Sequence, residues 1–248
     1  MIKFFSAVVW LLYGLSYIPS FFIALIIRIF TFPFDRHNRL PNAVMIFFGK
    51  SIITLNPLWK RHYFGLEKIT EEKPAFIRVA NHQSFLDMPL VATMPMNMKW
   101  ISKKELFKIP FVGWLMHLSG HISVDRGSKG AAKSLLEMIE PINDGMSVMV
   151  FPEGTRSREG RLKPFKKGAF HASMDYGFRI QPIVIEGTYK CMKPDTWVMN
   201  FTGDLYVSVL DPISPDGFSH VNDLRDHVHA VILAESNRLK AIASENKR

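Results

Sequence analysis

From residue 75 onward the chain alternates short apolar, β-branched runs with segments of helical periodicity. Runs at 75–80, 98–102, 121–125, 147–151, 181–186 and 205–210 are short and bounded by Gly, Pro, Asn, Asp or charged residues, the pattern of buried strands. An earlier run, Trp59 to Gly65, reads as a first strand with an aromatic and basic flavour. Helical patterns fall at 87–94, 104–118, 129–140, 167–176 and 221–243. In the last of these Val221, Leu224, Val228, Val231, Ile232, Leu239 and Ile242 share one face. Strands that alternate with helices over short links predict an α/β fold, a single and largely parallel (mixed) sheet flanked by helices. Residues 211–220 carry two prolines and a glycine and read as a loop.

The first quarter follows a different pattern. Residues 4–27 hold no charge, and 24 residues of helix reach about 36 Å, against about 30 Å of bilayer hydrocarbon. Lys3 is a thin basic flank and no Ala-x-Ala-like site follows, which argues against a cleaved signal peptide. Pro19 is expected to divide the run into Phe4–Ile18 and a second helix from Ser20. Two membrane readings follow: one kinked span, or a helical hairpin lodged in one leaflet with Arg28 and the Arg36, His37, Arg39 group at the headgroups. A buried core helix is the third reading. Residues 42–55 form another apolar helical stretch, closed by Asn56-Pro57. The expected division is a membrane-embedded helical segment over 1–57 and an α/β domain over 58–248. The basic flank after the apolar run places the remainder on the cytoplasmic side.

Charge narrows the partners. A net charge of +9 and a pI near 9.6 suit an anionic partner. Twenty phenylalanines in a basic chain fit a lipid surface better than a nucleic-acid groove, so no nucleic-acid partner is expected. The single cysteine, Cys191, excludes a disulfide framework and a cysteine zinc site.

Candidate chemistry gathers at strand ends. Asn81-His82-Gln83-Ser84-Phe85-Leu86-Asp87 follows the strand at 75–80 and opens a helix, with Asp87 as expected N-cap. A neutral imidazole takes a proton near neutral pH, and a nearby carboxylate holds its tautomer and stabilises the imidazolium. The same heptad equally suits a purely structural His–Asp bond. Phe151-Pro152-Glu153-Gly154-Thr155-Arg156-Ser157 follows another strand, and Arg156 is the type of side chain that clamps a phosphate. With Arg158, Arg161, Lys163, Lys166 and Lys167 behind it, that stretch also reads as a solvated basic loop. Gly120 to Arg126 ends a third strand in Asp125-Arg126, where an ordinary surface ion pair is the plain alternative, and Lys103 and Lys104 follow a fourth. In a parallel sheet these ends share one edge. His117 reads as packed on its helix, and His121 stays ambiguous.

On four blocks, Asn81–Asp87, Gly120–Arg126, Phe151–Ser157 and Gln181-Pro182-Ile183-Val184-Ile185, the chain resembles the glycerolipid acyltransferases, specifically the bacterial 1-acylglycerol-3-phosphate acyltransferases. The resemblance covers about residues 60–210. It implies His82 as general base, Asp87 as its orienting acid, and Lys103, Arg126, Glu153, Gly154 and Arg156 around the acceptor's phosphate, with Lys104 an alternative to Lys103. The fourth block departs from the pattern, because some members have a second proline where Ile185 or Glu186 stands. Implied further are lysophosphatidic acid as acceptor, acyl-CoA or acyl-carrier protein as co-substrate, membrane lipids as surroundings, the cytoplasmic face of the inner membrane as location, and neither metal nor cofactor. Backbone N–H groups near the start of the helix after Asp87 are candidate oxyanion donors, which the sequence does not single out. Other acceptors stay open (glycerol 3-phosphate, another lysophospholipid, a lyso-aminolipid), as do thioester hydrolysis and a non-catalytic tether that binds anionic lipid through residues 156–167.

Overall fold

The computed structural model describes residues 1–125 and 134–246. Its seven strands are β1 (Trp59–Phe64), β2 (Ile77–Ala80), β3 (Lys99–Lys103), β4 (Ile122–Val124), β5 (Val148–Val150), β6 (Ile180–Glu186) and β7 (Gly203–Val209). They lie in the order β1-β7-β6-β2-β5-β3-β4. Every neighbouring pair is parallel except β6 and β7. The expected mixed, largely parallel sheet is therefore present, and each expected strand is in it.

Side chains of β6 show why both faces are covered. Ile183 and Ile185 enter one apolar cluster, Ile180 and Val184 the other, as a period of two demands. The first cluster is closed by α1 (Ile2–Thr31), α2 (Arg39–Gly49), α3 (Ser51–Thr54), α4 (Asp87–Val91) and α5 (Val112–Leu118). The second is closed by α6 (Ile139–Asn143), α7 (Gly168–Tyr176) and the long α9 (Val221–Glu245), which buries Leu224, Val228, Ile232 and Leu239. A single turn, α8 (Thr188–Cys191), follows β6.

Three expectations change. Pro19 does not divide the apolar run: α1 is continuous over 30 residues, about 45 Å. Beside the proline, the Ser20 hydroxyl donates to the Ser16 carbonyl at 2.5 Å and that of Ser16 to the Tyr13 carbonyl at 2.6 Å. These bonds serve backbone carbonyls next to the gap that proline leaves. The helix expected at 104–118 is split. A 3-10 turn over Lys104–Lys108 precedes Pro110, and α5 begins only after it, since proline supplies no N–H to continue the ladder. His117, expected to be packed, is exposed on α5, with the Phe107 ring edge-on to it at 4.9 Å between centroids. Of the helix expected at 129–140, residues 129–133 lie outside the described ones; the rest is a short helical stretch at 134–136, a turn, and the start of α6 at Ile139.

Nor is α1 a buried core helix. Its buried residues, Ser6, Tyr13, Tyr17, Ser20 and Ala24, form one stripe. Outward it shows Phe4, Phe5, Leu11, Leu12, Leu15, Phe22, Ile26 and Phe30 to solvent. The stripe is pinned to the rest of the chain along its length. Ser6 Oγ accepts from the Met199 N–H, Trp10 Nε1 donates to Trp197 O, Tyr13 Oη donates to Gly49 O, and Phe21 packs on Phe111 and Trp114. By length and composition it is the one described helix that could cross a membrane.

Candidate active site

His82 lies just beyond the carboxyl end of β2, between the segment leaving β5 and the turn leaving β6. Its Nδ1 is 2.8 Å from Asp87 Oδ2. Asp87 is fully buried, and four groups address its carboxylate. His82 Nδ1 and the N–H groups of Gln83 (2.6 Å) and Ser84 (2.8 Å) reach Oδ2, and the Thr188 hydroxyl donates to Oδ1 at 2.6 Å. Asp87 is not the N-cap of α4; it is the first helical residue, and Leu86 occupies the cap position. The carboxylate turns back into its own loop because the N–H groups of residues 83 and 84 converge there. With both backbone groups and the hydroxyl donating, the remaining partner is held as an Nδ1–H donor too. That leaves Nε2 of His82 as the basic nitrogen.

Several N–H groups of this turn are thereby spent within it. Gln83 and Ser84 give their N–H groups to Asp87, Leu86 gives its own to the Ser84 hydroxyl (3.2 Å), and Asp87 to the Ser84 carbonyl (3.4 Å).

The segment after β5 is locked to His82 by its backbone. The His82 N–H donates to Glu153 Oε1 at 2.7 Å, the Ser157 N–H donates to the His82 carbonyl at 2.8 Å, and the imidazole stacks on Phe151 with 4.1 Å between centroids. Glu153 Oε2 accepts from the Lys163 N–H at 3.1 Å. Both carboxylate oxygens of Glu153 thus face backbone donors, and the residue is 5% exposed. That is the position of a brace between two loops. Burial pushes its pKa up to about 7, against the pull of the two N–H groups. Gly154 takes φ +73°, and a Cβ there would press on the Lys166 side chain, so the tight turn and the close lysine both favour glycine.

Around this pair the structure brings together His82, Lys103, Arg156, Arg158, Lys163 and Thr155 as the walls of one open pocket of about 480 Å³, with Pro194 and Asp195 opposite. Lys163 Nζ donates to Thr155 Oγ1 at 2.8 Å, and Arg158 pairs with Asp195 at 3.1 Å. Among the described residues no carboxylate pairs with Arg156, which leaves its guanidinium available. Lys103 reaches the pocket and also pairs with Glu105 at 3.5 Å, while Lys104 pairs with Asp125 at 3.7 Å, both weak exposed contacts. Arg126 lies outside the described residues.

An apolar cavity of about 270 Å³ lies between α1, α2 and the Phe85–Ala92 segment, walled by Trp10, Tyr13, Met45, Gly49, Met88 and Trp100. His121, ambiguous from sequence, lines it as a neutral ring: burial and the nearby Lys99 hold its pKa down to about 3, and its Nδ1 faces the Trp100 N–H at 3.3 Å.

Sequence reasoning missed Thr188. It stands directly after the fourth block, where Gly187 at φ +93° turns the chain out of β6 and swings the hydroxyl onto Asp87. A Gly-Thr pair at a strand's carboxyl end was the available signal.

A histidine oriented by a buried carboxylate, beside a cationic pocket at the carboxyl edge of a largely parallel sheet, is a geometry that suits an α/β enzyme acting on an anionic substrate. A sequence profile of the acyltransferase family matches residues 60–186, and the chain belongs to that family. It is similar to a chloroplastic 1-acyl-sn-glycerol-3-phosphate acyltransferase of Brassica napus, 36% identical over 185 residues, 74% of this chain and 54% of that one. It is also similar to a 1-acyl-sn-glycerol-3-phosphate acyltransferase of Haemophilus influenzae, 35% identical over 159 residues, 62% of this chain and 65% of that one. The chain thus spans about half the length of the first of these curated relatives and about two thirds of the second. The crystal structure of the 1-acyl-sn-glycerophosphate acyltransferase from Thermotoga maritima superposes with a TM-score of 0.80 at 29% identity, over 97% of this chain and 98% of that one.

Proposed function

We propose that the protein moves a fatty acyl group from a thioester, acyl-CoA or acyl-carrier protein, to the 2-hydroxyl of lysophosphatidic acid. The observation that carries this reading is the meeting of His82 with the cation-lined pocket. A base whose Nδ1 is fixed by Asp87 has Nε2 for the substrate hydroxyl, and Arg156 and Lys103 offer the phosphate of the same molecule two cations. Similarity to relatives named for this acceptor supports it.

In this mechanism His82 takes the proton as the hydroxyl attacks the thioester carbonyl, and no acyl-enzyme forms. Transfer to a positioned base is worth about 10²–10⁴-fold, and positioning by the phosphate supplies much of the rest. Asp87 steadies the imidazolium. The apolar cavity beside Trp100 takes the donor's acyl chain.

The N-terminus fits a lipid acceptor. A helix held to the domain at residues 6, 10, 13 and 21 lies along it rather than standing away from it. Its outward apolar face then seats in one leaflet, with Arg28 at the headgroups and the site on the cytoplasmic face of the inner membrane.

The test is a mass-spectrometric assay of purified protein with lysophosphatidate, other lysolipids or glycerol 3-phosphate, and mixed acyl donors. Phosphatidic acid is the expected product, His82→Ala should abolish it, and Arg156→Ala should raise the acceptor KM. Turnover retained in His82→Ala, or free fatty acid without acylated acceptor, would overturn the reading.

A further inference from the structure

Resting on that reading, an acyl transfer centre has three arms: the acceptor oxygen, the acyl chain and the sulfur of the leaving thiol. The cation-lined pocket and the apolar cavity accommodate two. A third cavity, about 280 Å³, opens on the other side of Phe151. It shares His82 and Lys103 with the cationic pocket, and Met88, Ser102 and Leu106 with the apolar one. It therefore adjoins both, and meets the cationic pocket at His82. From there it runs between the ends of β3, β4 and β5 and the start of α7, past Ile101, Val124, Val150 and Ala169.

We propose that this cavity holds the pantetheine arm of the acyl donor, with Lys166 pairing with the phosphate at the arm's far end. Its walls are mostly apolar, which suits a chain of methylene and amide groups, and they carry two lysines. Lys103 is common to the cationic pocket, but Lys166 belongs to this cavity and not to that one. Among the described residues no carboxylate pairs with Lys166. Its own N–H is tied to the Pro152 carbonyl at 2.9 Å, and from that anchored backbone its exposed side chain passes Gly154 along the rim of this cavity. The start of α7 at Gly168 has no side-chain cap and adds to the positive potential on that wall. In the transfer step the acceptor oxygen forms the new C–O bond as the C–S bond breaks. The proton taken by His82 passes to the departing thiolate, and the thiol leaves along this cavity. The arm is common to acyl-CoA and acyl-carrier protein, so the site serves either source.

Steady-state kinetics on the full chain in detergent micelles tests this with three thioesters of one fatty acid: acyl-CoA, acyl-carrier protein, and the N-acetylcysteamine ester, which ends before the phosphate. Lys166→Met should raise the KM for the phosphate-bearing donor or donors that the wild type uses by about 10–100-fold. It should leave the acceptor KM and the truncated donor unaffected. Val124→Phe, at a half-buried wall position, should raise the KM of every thioester, the truncated one included. An effect of Lys166→Met on the acceptor KM, an equal effect on the truncated donor, or no effect at all would overturn the assignment. Calorimetric binding of desulfo-coenzyme A without acceptor separates this proposal from the choice of acceptor. Weaker binding to Lys166→Met supports the arm site even if lysophosphatidate is not the acceptor, and equal binding rejects it.

Discussion

Replacing Asp87 by asparagine isolates the charge of the carboxylate from its geometry. An amide offers one acceptor and one donor in place of two acceptors. At the Oδ2 position three donors converge, His82 Nδ1 and the N–H groups of Gln83 and Ser84, and the two backbone groups cannot turn away. At the Oδ1 position the partner is the Thr188 hydroxyl, which can rotate to accept. The asparagine must therefore place its oxygen toward His82 and its nitrogen toward Thr188. Geometry and tautomer survive, and the charge is lost. Two charges about 4 Å apart near a protein surface interact by about 4 kcal/mol, an upper limit for the imidazolium stabilisation removed. The expected loss in kcat is about 10²–10³-fold, with both KM values nearly unchanged. Stability should move little, because four bonds weaken from charged to neutral while a buried charge disappears. Each kcal/mol would shift the Tm by about 2–4 °C in a chain of this size. Steady-state kinetics and thermal melts check both. An unchanged kcat would remove Asp87 from the proton transfer, and a variant that cannot fold would refute the amide orientation. Thr188→Val in that background removes the amide's acceptor and should cost further stability.

Glu153→Gln tests the brace. Glu153 holds its proton more tightly folded (about 7) than unfolded (near 4.5), so its contribution is present below about pH 4.5 and lost as the pH rises through 7. Relative to the glutamine variant, the wild type should lose on the order of 3 kcal/mol between pH 4.5 and 8 in urea melts, and a flat difference would refute the buried acid. Gly187→Ala would place a methyl inside the van der Waals shell of the Asp204 carbonyl at a positive φ, costing more than about 2 kcal/mol in denaturant melts. The Thr188 hydroxyl would shift with it, so kcat should fall more than KM rises; an alanine variant as stable and active as the wild type would show the turn is not needed. At Gly49, on the apolar cavity wall, an added Cβ meets nothing within 4 Å. Gly49→Leu should shorten the preferred acyl chain in the mixed-donor assay, and an unaltered product profile would place the chain elsewhere.

The alternation of short apolar runs with helical periods was enough to predict all seven strands and the parallel character of the sheet, because strand burial on both faces is written in composition and spacing. The same pattern brought His82, Lys103 and Arg156 to one edge, since loops leaving parallel strands share it. Other features depend on distances between remote segments. Glu153 sits beside Arg156 in sequence, yet only the fold turns its carboxylate onto the His82 and Lys163 backbone. Thr188 is 101 residues from Asp87 and reaches it because β6 pairs with β2. Pro19 reads as a helix break, but neighbouring serine hydroxyls and packing along α1 carry the helix through it. Local periodicity records which face each segment buries. Which donors meet a buried carboxylate, and which cavities converge on a base, follow from strand order and loop packing, which no single stretch of sequence contains.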